Sequence, residues 1–195
     1  MARAKAKPII KERRVANRSD PAPRTSERRW PAWSRRMGGA GLLVAIGLGL
    51  QSLQSWHDRH ALFINVSESL PNWALFVEAG RRPQRGDYVV FDPGRDPLVI
   101  KHFGATPKPF AKIAYGVAGD TVSRDGAKVL VDGREVARLK PLTHQGEVLT
   151  PGPIGIVPPG CVFAATTHKD GFDSRYAAIG FVCGKSIIGV GEPIL

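Results

Sequence analysis

The chain is predicted to be a mostly β domain of short strands and hairpins, preceded by one transmembrane helix and a disordered basic tail. Three observations predict this. Positive charge is concentrated in residues 1–36, an uncharged stretch runs from Met37 to Trp56, and brief β-branched or aromatic runs then recur between Gly, Pro and Asp.

Residues 1–36 hold 12 of the 28 Lys and Arg but only Glu12, Asp20 and Glu27 as acids, so most of the net charge of +11 lies here. Broken by Pro8, Pro21, Pro23 and Pro31, the stretch has too little apolar surface to offset the entropy of ordering it, and a disordered tail is expected. Basic tails can bind polyanions by counterion release. The next segment gives this one a simpler role, so nucleic acid is not the expected partner.

The 20 positions from Met37 to Trp56 carry no charge, and Gly38 to Leu50 are apolar or glycine throughout. As a helix they would extend about 30 Å, the thickness of a bilayer's hydrocarbon core. Gln51, Ser52, Gln54 and Ser55 weaken the far end, which keeps an interfacial segment as the competing reading. No small-x-small cleavage site follows cleanly, and an uncleaved anchor is expected. Arg35 and Arg36 abut the run on one side, with His57, Asp58, Arg59 and His60 on the other. The positive-inside rule then leaves the N-terminus in the cytoplasm and exports residues 57–195.

The exported part is long enough for one domain with a core. Strands are expected at Tyr88 to Phe91, Leu98 to Phe103, Lys112 to Tyr115, Lys128 to Val131, Glu135 to Ala137, Cys161 to Thr166, Ile179 to Val182 and Ile187 to Val190. Asp132-Gly133 is the signal of a type I′ hairpin. Cys161 and Cys183 are the only cysteines, and sequence leaves open whether they bridge or stay as buried thiols. The five histidines show no ligand spacing, so neither a metal site nor a cofactor is implied.

The chemistry must come from elsewhere. In Phe63-Ile64-Asn65-Val66-Ser67-Glu68-Ser69-Leu70-Pro71 an extended chain would turn the Ser67 and Ser69 hydroxyls to one side. A serine needs a base, and a lysine serves if burial among apolar groups holds its amine neutral. Lys112, in Phe110-Ala111-Lys112-Ile113-Ala114-Tyr115, has such a setting, and Lys101, in Val99-Ile100-Lys101-His102-Phe103, is its rival.

Lys112 to Asp120, ending Gly116-Val117-Ala118-Gly119-Asp120, resembles the block of type I signal peptidases in which the lysine base precedes Gly-x-Pro-Gly-Asp, with Ala118 in place of the proline. Arg85-Gly86-Asp87-Tyr88-Val89-Val90-Phe91 is similar to that family's Arg-Gly-Asp-Val-Val-Val-Phe strand. Gly171-Phe172-Asp173-Ser174-Arg175-Tyr176 is similar to its Ser-x-Asp-Ser-Arg box. The blocks stand in family order, and Asn65-x-Ser67-x-Ser69-x-Pro71 resembles the signature of the TraF-like conjugative-transfer members.

The resemblance implies a signal-peptidase-like β domain and a serine endopeptidase. In it Ser69 would be the nucleophile, Lys112 the general base and Asp173 a third catalytic-site acid. Ser67 would donate to the oxyanion, with Ser174 and Arg175 in support and Leu70, Pro71 and Tyr115 near the substrate. Gly171 stands where housekeeping members carry a serine that orients the lysine, so that support is expected from Asp173, Ser174 or backbone. The implied substrate is a membrane-inserted precursor or prepilin, cleaved or cyclised at a bacterial inner membrane, with a conjugative secretion machinery as a further partner. General removal of secretory signal peptides and a non-catalytic assembly module are the alternatives.

Overall fold

The computed structural model describes residues 32–64, 70–72 and 74–194, with side chains of the first helix from residue 39 onward. Helix α1 runs Ala32–Arg59, so residues 32–36, expected in the tail, belong to it instead. The rest of the tail lies outside the described residues. Leu42, Leu43, Val44, Ile46, Leu48, Leu50, Leu53 and Trp56 of α1 are exposed. Among the described residues, no helix is long and apolar enough to cross a membrane. Five glycines, at 38, 39, 41, 47 and 49, dilute the apolar run, and Gln51, Ser52, Gln54 and Ser55 occupy its end. The segment expected as an anchor is thus helical, while its spanning role rests on sequence alone.

The chain divides within α1 into two units, Met1–Ala45 and Ile46–Leu195, and the second holds the β domain. Its elements are β1 (His60–Ile64), β2 (Ala74–Ala79), β3 (Tyr88–Phe91), α2 (Pro97–Phe103), β4 (Phe110–Val117), β5 (Thr121–Asp125), β6 (Lys128–Val131), β7 (Arg134–Arg138), β8 (Gly155–Ile156), β9 (Cys161–Ala165), β10 (Val182–Cys183) and β11 (Ile187–Pro193). Seven strands form one sheet in the order β1-β2-β11-β3-β4-β9-β10, and β7-β6-β5-β8 form a second. The named pairings are antiparallel, some joined as hairpins and others closed by strands distant in sequence.

Three apolar clusters hold these layers. Val89, Phe91, Ala114, Val162, Ala164 and Val182 cover one face of the large sheet, with Phe110 packed against them. Leu70, Leu75, Val77, Val90 and Ala111 form a second cluster. Val122, Val129, Val131, Val157 and Phe163 join the small sheet to β9. Burying a side chain such as Phe91 or Phe163 contributes about 2 kcal/mol.

Asp132 and Gly133, between β6 and β7, have φ of 47° and 77°, the left-handed pair a type I′ turn demands. Arg85 explains two of the family-like blocks together. Its Nη2 lies 2.7 Å from Asp120 Oδ1 and also pairs with Asp132. Those two carboxylates in turn accept the backbone N–H groups of Val117 at 2.7 Å and Thr121 at 2.9 Å.

Two expected strands are corrected. Residues 98–103 form helix α2, because local caps outweigh the β-branched composition that suggested a strand. Asp96 accepts the Leu98 N–H at 2.9 Å, Pro97 occupies the first turn, and Gly104 ends the helix at φ 87°. At 179–182 only Val182 is in a strand, since the N–H groups of Ile179 and Gly180 turn back to the Tyr176 carbonyl at 3.1 and 2.9 Å. Strands β1, β2, β5 and β8 were not foreseen: β2 is buried between β1 and β11 without clean alternation, β5 is largely polar, and β8 is only two residues long.

Cys161 and Cys183 are cross-strand partners at the β9–β10 pairing and form a disulfide, settling the question their spacing left open.

Candidate active site

Lys112 lies in the middle of β4, directly opposite Val89 of β3. Strand alternation turns it to the same side as Phe110 and Ala114, against the cluster containing Val89, Phe91 and Ala164. The side chain is 6% exposed, and its Nζ lies 5.9 Å from the centre of the Phe110 ring. Burial lowers the pKa from 10.5 to about 8, Asp173 opposes the shift, and Arg175 adds slightly to it. Desolvation dominates because an ammonium loses its hydration on this buried, apolar strand face. The rival Lys101 sits on α2 with its side chain 58% exposed and 2.5 Å from Glu147, a solvated ion pair rather than a buried amine.

Asp173 and Arg175 are wholly buried and paired. Arg175 donates from Nε to Asp173 Oδ1 and from Nη2 to Oδ2, both at 2.8 Å. The carboxylate also accepts the backbone N–H of Thr166 at 3.1 Å and of Arg175 at 3.2 Å. Arg175 further donates to the carbonyls of Arg138 at 3.0 Å, His168 at 3.3 Å and Thr166. A buried charge pair persists only when its remaining donors and acceptors are met in this way. Asp173 is therefore part of a closed network that acts on Lys112 through its field.

Ser174 fastens this loop to β9. Its N–H donates to the Ala164 carbonyl at 3.0 Å, and its Oγ accepts the Ala164 N–H at 3.0 Å. Gly171 lies inside the same loop. A Cβ there would meet Arg175 Nη2 at 2.7 Å, and Asp173 Oδ2 and Thr166 Oγ1 at 2.8 Å. The glycine that departs from the family pattern is thus the residue this packing admits.

Ser67 and Ser69 lie outside the described residues, as does Asn65. Leu70 is buried against Leu75, Val77, Val90 and Ala111, whereas Pro71 is exposed. Tyr115 packs against the cluster of the small sheet, and burial, then Asp173, pushes its phenol pKa up. Sequence reasoning missed Thr166 and the Asn72–Tyr88 pair, in which Tyr88 OH donates to Asn72 Oδ1 at 2.8 Å just past the serine segment. The signal for the latter was Tyr88 itself, which stands where the similar family strand carries valine.

The family model described as signal peptidase, peptidase S26, matches residues 36–195. The chain is 26% identical over 173 residues to the conjugal transfer protein TraF of Agrobacterium fabrum strain C58, an alignment covering 82% of this chain and 93% of that protein. Among solved structures it is similar to the signal peptidase I of Enterococcus faecalis V583, at 23% identity and a TM-score of 0.33, covering 56% of this chain and 97% of the other. With the family match extending from the end of the basic tail to the last residue, the chain belongs to the signal peptidase, peptidase S26, family.

Proposed function

We propose that the protein is a membrane-anchored serine endopeptidase that uses a Ser69–Lys112 dyad to process exported precursors, with prepilins or other conjugative-transfer proteins as the substrate class. The observation that carries this reading is Lys112, a lysine 6% exposed on an apolar strand face with its pKa lowered to about 8. An amine so tuned takes up a hydroxyl proton near neutral pH. The similarity to a conjugal transfer protein favours the specialised substrate over general secretory precursors.

In the proposed reaction neutral Lys112 accepts the Ser69 proton while Oγ attacks the scissile carbonyl. Ser67 and the Ser69 N–H stabilise the resulting oxyanion. The Lys112 ammonium then returns the proton to the departing amine, leaving an ester on Ser69. Water, deprotonated by the same amine, hydrolyses that ester; attack by the substrate's own N-terminal amine would instead give a cyclic product. Leu70, Pro71 and Tyr115 are proposed to flank the substrate, and α1 is proposed to hold the domain at the inner membrane with its β domain exported. Tethering there would raise the effective concentration of a precursor whose apolar segment lies in the same bilayer.

The test is incubation of the full-length, detergent-solubilised protein with a candidate prepilin precursor, comparing wild type with Ser69→Ala and Lys112→Ala. Processing by the wild type alone supports the dyad. Equal processing by all three removes it, and no processing by the wild type of either prepilin or secretory precursors favours a non-catalytic module.

A further inference from the structure

We infer that the Thr166 hydroxyl is the positioning group that aims the Lys112 amine, an inference that rests on the reading of Lys112 as the base. Strand register supplies the first part of the argument. Ile113 of β4 pairs with Ala165 of β9, and Ala114 with Ala164; the ladder ends there, and its register extended by one residue sets Lys112 opposite Thr166.

Backbone hydrogen bonds fix which kind of pair this is. The N–H of Thr166 donates to Asp173 and its carbonyl accepts from Arg175, while both backbone groups of Ala164 bond to Ser174. Residues 164 and 166 thus turn their peptide groups toward the 168–176 loop, away from β4. Lys112 and Thr166 therefore form a non-hydrogen-bonded antiparallel pair, the class in which facing side chains come closest, with Cβ atoms about 4.5–5.5 Å apart on one face. Both side chains are buried, Thr166 at 1% exposure.

The two side chains expected from sequence to orient the amine are already committed. Each Asp173 oxygen accepts two hydrogen bonds, and Ser174 Oγ is taken by the Ala164 amide. Thr166 Oγ1 accepts the His168 N–H at 3.3 Å, which leaves its second lone pair for a proton of the Lys112 amine. The same oxygen lies 2.8 Å from where a Cβ at Gly171 would stand. A hydroxyl delivered from position 166 thus fills the space that a side chain at 171 would have used, and the two arrangements exclude each other.

The experiment compares wild type with Thr166→Val, which keeps the shape and removes the oxygen, and with Thr166→Ser, which restores it. The Lys112 side-chain 13Cε resonance, identified by its loss in Lys112→Met, is followed by NMR from pH 6 to 11 in the full-length detergent-solubilised protein. Loss of the acceptor removes an interaction that favours the ammonium, so Thr166→Val titrates roughly one unit lower, with Thr166→Ser close to wild type. On a prepilin precursor Thr166→Val loses about tenfold in kcat with KM little changed, as expected for a misaimed base. A Thr166→Val titration that overlays wild type overturns the positioning role, whether or not the chain cleaves precursors. If the serine variant also fails to restore the titration, the hydroxyl has only a packing role and the inference falls. A shifted titration in a protein inert toward every precursor overturns the peptidase reading instead, and with it the role of Thr166 in catalysis.

Discussion

Arg175 holds both oxygens of Asp173 at 2.8 Å in a parallel two-point contact, with neither residue open to water. Truncating one member strands the other charge in the interior. Arg175→Ala is therefore expected to lose about 3–5 kcal/mol of stability in urea unfolding, and Arg175→Lys to recover little of it, since an ammonium cannot reproduce the fork. Equal midpoints for Arg175→Lys and wild type would contradict this.

The lowered pKa of Lys112 links activity and stability to pH. If Lys112 is the base, as proposed, precursor cleavage requires the neutral amine and should rise with pH through about 8. Between the folded value near 8 and the unfolded value near 10.5, the unfolded chain holds the extra proton, so stability increases with pH across that window. Below it the folded state is about 3 kcal/mol less stable than with a neutral side chain, an order-of-magnitude figure from the shift itself. Lys112→Met should abolish cleavage and flatten the stability difference between pH 7 and pH 10.5, measured by denaturant midpoints with the slope unchanged.

At Gly171 the expected cost is one of space. Gly171→Ala places a methyl under 3 Å from Arg175, Asp173 and Thr166. Overpacking of this kind costs about 1–3 kcal/mol. A thermal midpoint within 1 °C of wild type would show that the loop yields.

The Cys161–Cys183 bridge closes a separation of 22 residues that includes the whole Asp173 loop. In the chain-entropy model such a closure contributes about 3 kcal/mol. Treatment with a dithiol reductant, or Cys161→Ser with Cys183→Ser, should lower the unfolding midpoint accordingly; an unaltered midpoint after verified reduction would refute the stabilising role.

Much of the β domain was legible in the chain because its turns are written locally. Asp132-Gly133 specified its hairpin, and the apolar runs of β3, β6 and β9 specified buried strands. Residues 98–103 misled because their composition suits a strand while Asp96, Pro97 and Gly104 dictate a helix, and caps act on residues outside the apolar run. Lys112 could be selected by its neighbours in sequence, Phe110 and Ala114. Thr166 could not be, because its relation to Lys112 exists only across a strand pairing and its bond to the Asp173 loop only after the chain has turned back. The pairing of the two cysteines was equally invisible until β9 and β10 were adjacent.

The filled interior around Gly171 constrains how this loop can diverge. Residues 166, 171, 173 and 175 share one small volume, so a side chain gained at 171 must be accompanied by a smaller or redirected one nearby. Lineages descending from such a chain would exchange these positions as a set, and surveys of related sequences should find them co-varying while the apolar strands around them drift one residue at a time.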